Sequence, residues 1–171
     1  HNGLIKVNGQ KMSKSLGNCI YLSDTSKEIK KKVNSMFTDP EHLQIEDPGH
    51  VEGNVVFTYL DAFCKDEHFA KFLPDYANLD ELKAHYERGG LGDGTCKKFL
   101  FNIMEDFLQP MREKRAEYEK NIPLVYEILR KGSETARAEA AKTLEDVRRA
   151  MRIDYFDDAE LIAEHTKKYT K

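Results

Sequence analysis

No stretch of this 171-residue chain approaches the roughly 18 consecutive apolar residues that a membrane-crossing helix needs, and the N-terminus lacks the charged-then-apolar layout of a secretory signal. No membrane association is expected. Cysteine is sparse: Cys19, Cys64 and Cys96 are odd in number, far apart and free of any C-x-x-C pair. That pattern argues against a disulfide framework and a zinc ribbon, and it suits a reducing cytoplasm. The six histidines contain no H-E-x-x-H pair, and His42 and His50 fall in an acidic loop, where solvated or capping roles are expected. No structural metal is expected, and internal repeats and low-complexity tracts are absent.

What remains is an ordinary folding composition, 40% hydrophobic and 33% charged, well away from the region where chains stay disordered. The length accommodates one core without demanding two. His1 stands where a natural chain would carry Met, and it opens in the middle of a hairpin-like pattern, so the sequence reads as part of something longer.

Charge is unevenly distributed. Residues 1–38 carry a net +5, residues 39–95 a net −9, residues 96–152 a net +3 and the remainder −2. A polyanion would meet two basic regions separated by an acidic one, which is compatible with nucleic-acid contact.

The segment LIKVNG (4–9) alternates apolar and polar residues up to Asn8-Gly9, which predicts a short strand or hairpin arm. Helix-start chemistry follows, with Asp24 or Thr25 as N-cap and Glu28 three residues after Thr25. Two Asp-Pro pairs and two glycines mark residues 38–54 as a long loop. Helices are predicted from Asn54, over DEHFAKFL, and from Asn78 to Gly89-Gly90. Another covers 93–120, where Pro110 should kink or divide it. Gly132-Ser133 is expected to end one helix and cap the next, whose Ala136, Ala140, Leu144, Val147 and Met151 would form a buried stripe.

Three features invite a chemical reading. GGLGDG (89–94) fails the dinucleotide spacing and follows a helix, so it reads as a helix–helix turn. Glu105 and Asp106 are adjacent on a helix, do not face each other, and read as exposed charge. KMSKSLGN (11–18) differs in kind. Lys11 and Lys14 can reach one anion from a bent loop, Ser13 and Ser15 add hydroxyl donors, and Gly17 permits a positive φ. Phosphate binding and a merely solvated turn both fit these residues.

KMSKS followed by LGN is the signature loop of class I aminoacyl-tRNA synthetases. The segments NCIYLSD, IKKKVNSMFTDP, EDPGHVEGNVVFTYLDAF, HYERGGLGDGTCKKFL and AMRIDYF follow in order, so residues 4–156 resemble the bacterial-type tryptophanyl family of that class. The resemblance implies a mainly α fold: a helical anticodon-binding bundle, preceded by a short β element and the signature loop from the end of a Rossmann catalytic domain missing here. The implied boundaries are 1–23 for the edge of the catalytic domain, 24–156 for the helical domain and 157–171 for a C-terminal extension, with a helix as one reading of it.

The implied activity of the whole protein is activation of tryptophan with ATP and transfer of tryptophan to tRNA(Trp), with this piece alone inactive. Lys14 would contact the ATP phosphates and Lys11 would assist as the second catalytic lysine. Met12, Ser13 and Ser15 would complete the nucleotide-binding loop. ATP with Mg2+ is the implied substrate and no group is expected on the isolated piece. Implied partners are tRNA(Trp), ATP and tryptophan in a full-length homodimer, with the isolated piece a monomer in the cytoplasm. Arg112, Lys114, Arg115, Arg130, Lys131, Arg148 and Arg149 are candidate RNA contacts by charge. The alternatives are a tyrosyl enzyme, which shares the loop, and a non-catalytic RNA-binding helical module.

Overall fold

The computed structural model describes residues 6–7, 10–156 and 158–170, with side chains from Met12 onward. The chain is mainly helical. Strand β1 (Lys6–Val7) pairs antiparallel with β2 (Gln10–Lys11) in the register Lys6 to Lys11 and Val7 to Gln10. The Asn8-Gly9 turn and residues 1–5 lie outside the described residues. Seven helices follow among the described residues, in two compact units, His1–Ala116 and Glu117–Lys171.

Four helices of the first unit begin where a side chain can take an orphan amide. Helix α1 (Ser26–Asn34) has Thr25 as N-cap, and Thr25 and Glu28 form a reciprocal capping box. Asp24 does not cap α1: its carboxylate accepts the Tyr21 N–H at 2.8 Å. Helix α2 (Val55–Phe63) starts at Asn54, whose side chain accepts from Val56 N–H. In α3 (Asp66–Phe72) the His68 ring accepts the Lys65 N–H at 3.0 Å. Helix α4 (Leu79–Arg88) is capped by Asn78 through Glu81 N–H, while the Glu81 carboxylate reaches back to Ala77 N–H, one residue before the expected partner.

The core lies where α1, α2, α4 and α5 (Asp93–Glu119) face one another. Ile29, Val33, Phe57, Leu60, Leu82, Tyr86, Phe99, Leu100 and Ile103 are at most 2% exposed. At about 25 cal/mol per Å² of apolar area removed from water, each contributes on the order of 1.5–3 kcal/mol. Cys96 is buried among them and its thiol is pushed up to about 12 by desolvation; Cys64, half-buried, is pushed up to about 11 for the same reason. Both behave as small apolar side chains.

Pro110 does not divide α5, which continues unbroken past it. Pro110 and Asp106, whose carbonyl loses its donor, are both on the exposed side of the helix, where water can take the free acceptor.

The 38–54 loop is pinned against the ends of α4 and α5. Gly49 N–H donates to Tyr86 O at 3.0 Å, and Gly90 N–H donates to Ile45 O at 2.7 Å. Beneath it Tyr86 donates to Asp93 Oδ1 at 2.7 Å and Thr38 donates to Asp93 Oδ2 at 2.6 Å. His42 departs from the expected solvated role: its side chain is 2% exposed and meets Tyr86 edge-on at 4.8 Å. The ring is covered by Tyr86 and its Nδ1 lies 3.5 Å from Asp93 Oδ1, partners distant in sequence that a reading of local charge misses.

His50 stays exposed and ties the loop to itself, with its N–H at 2.7 Å and its Nδ1 at 2.8 Å from Asp39 Oδ2. The hydrogen bond to Asp39 raises the His50 pKa above its ordinary 6.5. For Asp39, burial opposes ionisation, but the Glu41 N–H and the His50 ring and N–H outweigh it and hold the carboxyl below its ordinary 3.8. The His50 contribution is therefore complete below pH 6.5 and fades as pH rises through the raised value, while the Asp39 contribution is lost as pH falls below 3.8. Thermal unfolding should show a small fall in midpoint as pH rises above 6.5, and His50→Ala should flatten it. An unchanged slope in the variant would remove His50 as the cause.

The second unit consists of α6 (Ile122–Met151) and α7 (Ala159–Tyr169). Asn121 caps α6 through Leu124 N–H, and Arg152 closes it in the left-handed region at φ 54°. Gly132-Ser133 does not break this helix, contrary to the sequence expectation. One internal glycine costs about 1 kcal/mol against alanine, and the flanks supply good helix formers. Bonds also cross the gap: Arg130 to Glu134 at 3.1 Å, and Thr135 Oγ1 to Lys131 O at 3.1 Å.

An alanine Cβ at Gly132 would meet nothing within 4 Å. Gly132→Ala should accordingly stabilise the helix by up to about 1 kcal/mol, read as increased helical circular dichroism or a raised unfolding midpoint. A loss of stability would show that the glycine is needed. The expected stripe on α6 is not buried: Leu144, Val147 and Met151 are 49%, 43% and 63% exposed. Periodicity identified a face of the helix but not a cover for it.

Candidate functional site: the 11–18 loop

Residues 11–18 leave β2 and turn sharply before the chain enters α1. The entry is anchored by Met12, which packs against the core and whose Sδ accepts the Tyr59 hydroxyl at 3.2 Å. Burial raises the Tyr59 pKa, so the phenol stays a donor. The turn then closes on itself. Ser13 N–H donates to Asn18 Oδ1 at 2.9 Å, Gly17 N–H donates to Lys14 O at 3.1 Å, and Leu16 N–H donates to Ser13 Oγ at 3.3 Å. Gly17 sits at φ 64°, where a side chain would be strained.

This geometry separates anchoring residues from presented ones. Met12 faces inward, while Lys14 and Ser15 stand on the exposed crest. Among the described residues Lys14 has no ion-pair partner, so its ammonium is available to an anion. The two serine hydroxyls lie 3.1 Å apart, and either can donate. Met12, Ser13, Lys14 and Ser15 are thus brought into one tight turn; the Lys11 side chain lies outside the described residues.

The exit is tied down as well. Tyr21 and Asp24 close a turn, with Asp24 N–H to Tyr21 O at 3.0 Å, and Lys32 pairs with the Asp24 carboxylate while lying 4.4 Å above the Tyr21 ring. The neighbouring Cys19 thiol is the main cause of a raised Tyr21 pKa.

Arg112, one of the sequence candidates for RNA contact, is instead engaged within the fold. It donates to Glu105 Oε2 at 2.8 Å and, more weakly, to the Asp24 carbonyl at 3.4 Å. Glu105 is correspondingly not exposed charge: its side chain is 20% exposed, and its Oε1 is buried without a partner. A partner seven residues along the same helix leaves no adjacent-pair signal, which is why the sequence did not disclose it. Among the other basic candidates, Arg130, Lys131 and Arg149 are paired with acids on α6.

A family model described as tRNA synthetases class I (W and Y) matches residues 1–109. A tryptophan–tRNA ligase of Clostridium longisporum is 55% identical over 148 residues, covering 86% of this chain and 41% of that protein. One of Streptococcus mutans is 53% identical over 146 residues, with 85% and 41% covered. The chain thus spans about two fifths of the length of the curated relatives it matches. A crystal structure of tryptophanyl-tRNA synthetase from Campylobacter jejuni superposes with a TM-score of 0.66 at 28% identity, over 86% of this chain and 44% of that one. A second, complexed with ADP and tryptophan, gives 0.67 at 28% identity, over 86% and 43%. The loop motif, the helical fold behind it and a family match over residues 1–109 converge: the chain belongs to the class I tRNA synthetases of the tryptophan and tyrosine group.

Proposed function

We propose that this chain is the part of a tryptophan–tRNA ligase that carries the ATP-contacting KMSKS loop and the helical domain that meets tRNA(Trp). The observation that carries the reading is the crest of the loop: an exposed Lys14, without an ion-pair partner among the described residues, on a turn anchored by Met12. The tryptophan names of its relatives, at 55% and 53% identity, favour that amino acid over tyrosine.

In the first half-reaction the tryptophan carboxylate attacks the α-phosphorus of ATP, the bond to the bridging oxygen breaks, and pyrophosphate leaves with the negative charge. Lys14 stabilises that charge, Lys11 assists, and Ser13 and Ser15 donate hydrogen bonds to phosphate oxygens. Such contacts accelerate the step only when they are stronger in the transition state than in the bound substrate. Residues 11–18 contain no carboxylate to hold Mg2+, so the ion would be carried on the ATP phosphates.

The proposed division is 1–23 as the edge of a Rossmann catalytic domain, 24–156 as the tRNA-binding domain and 157–171 as an extension, in a cytoplasmic homodimer. The test is pyrophosphate exchange by the full-length protein. Exchange that requires tryptophan, and is not supported by tyrosine, is expected. Dependence on tyrosine would transfer the chain to the tyrosyl branch, and no exchange with either would leave the RNA-binding module.

A further inference from the structure

We propose that Arg112 is a positioning residue for the phosphate loop, acting through Asp24 from 88 residues away. The inference rests on the reading of Lys14 given above, and it assigns a task to a cation that lies outside the loop.

The loop has two ends, held by different means. Its entry is held by Met12, which packs against the core and accepts the Tyr59 hydroxyl at 3.2 Å. Its exit runs through residues 19–24 and ends at Asp24, which is 6% exposed. The Arg112 guanidinium supplies a hydrogen bond that links this exit segment to α5. At 3.4 Å the bond to the Asp24 carbonyl is weak by itself, so its effect depends on what holds the guanidinium in place.

Glu105 Oε2 fixes the second nitrogen at 2.8 Å, seven residues away on the same helix, and both side chains of the pair are 20% exposed. A planar fork with one prong fixed presents the other in a set direction, which a flexible ammonium does less well. Asp24 is meanwhile rigid on its own side, because Lys32 pairs with its carboxylate and the Tyr21 N–H donates to it. Arg112 therefore sets the orientation of the exit segment on α5. Lys14 is carried between the Met12 anchor and this segment, so its approach to a phosphate depends on that orientation. A misplacement of about 1 Å far from the chemistry is enough to cost up to 10²-fold in rate.

A purely structural role for Arg112 would change stability without singling out the loop lysine, and the experiment separates the two. In the full-length protein, Arg112→Met, Arg112→Lys and Lys14→Ala are compared with the double variant Lys14→Ala/Arg112→Met. Arg112→Met is expected to slow tryptophan-dependent pyrophosphate exchange about 10- to 100-fold, with the KM for tryptophan unchanged and Arg112→Lys recovering part of the loss. The double variant is expected within about twofold of Lys14→Ala, because Arg112 acts through that lysine.

Hydrogen exchange supplies a readout independent of catalysis. The Tyr21 and Asp24 amides, both hydrogen-bonded in the exit turn, should exchange faster in Arg112→Met, while α2 amides keep their protection and report an intact core. Losses that multiply in the double variant, or unchanged exchange at Tyr21 and Asp24, overturn the proposal. Should Lys14→Ala alone lose less than tenfold, the function reading fails, and hydrogen exchange still decides whether Arg112 orders the exit.

Discussion

Lys14→Ala in the full-length protein should lower tryptophan-dependent pyrophosphate exchange by roughly 10² to 10³, the loss expected on deleting one preorganised donor at a developing charge. The size follows from where the charge appears. In the proposed reaction pyrophosphate gains negative charge as the bond to the α-phosphorus breaks, and an ammonium held on an anchored turn would interact more strongly with that state than with bound ATP. Most of the loss should therefore fall on the rate at saturating ATP, with a smaller change in KM. Ser15→Ala, which removes a neutral donor from the same crest, should cost less than Lys14→Ala. A loss below tenfold for Lys14→Ala would overturn the assignment of this lysine, whatever the family likeness.

The second large effect concerns folding. Gly89 ends α4 at φ 89° and ψ 158°, a region that side-chain-bearing residues rarely enter. An added Cβ would lie 2.3 Å from the backbone oxygen of Glu46, an atom that cannot rotate away. Gly89→Ala should destabilise the first unit by about 3 kcal/mol or more, since backbone strain and a forced shift of the 38–54 loop add together. For a unit of this size that is on the order of a 10 °C fall in unfolding midpoint. Gly53→Ala is the control: its φ of 76° is strained too, but its Cβ would meet nothing within 4 Å, so only strain of about 1–2 kcal/mol remains. Equal losses at the two sites would show that the clash with Glu46 is relieved without cost.

How much of this was legible in the sequence depends on the range over which each feature is determined. Thr25 with Glu28, Asn54 and Asn78 mark helix starts because a cap acts within three residues, and the structure has helices beginning at all of them. The 38–54 loop was likewise readable from two prolines and two glycines. Features set by distant partners were not. His42 looks solvated beside its acidic neighbours, yet it is covered by Tyr86, 44 positions later. Arg112 looks like an RNA contact until Glu105 and Asp24 claim it. Gly132-Ser133 failed as a stop signal because a local preference of about 1 kcal/mol is smaller than the combined propensity of the turns on either side. The KMSKS crest was readable as a motif, but the bonds that close it, from Asn18 and Gly17, needed coordinates.

The closed turn at residues 13–18 has a consequence for the entropy of ligand capture. Fixing a backbone residue costs roughly 1–2 kcal/mol, and a six-residue loop ordered only on contact with its ligand would lose that amount several times over. Here the Ser13–Asn18 and Gly17–Lys14 hydrogen bonds already restrict part of that freedom in the folded chain. In the proposed role, capture of a phosphate would then have less backbone to order, and the Lys14 side chain itself would add at most about 2 kcal/mol.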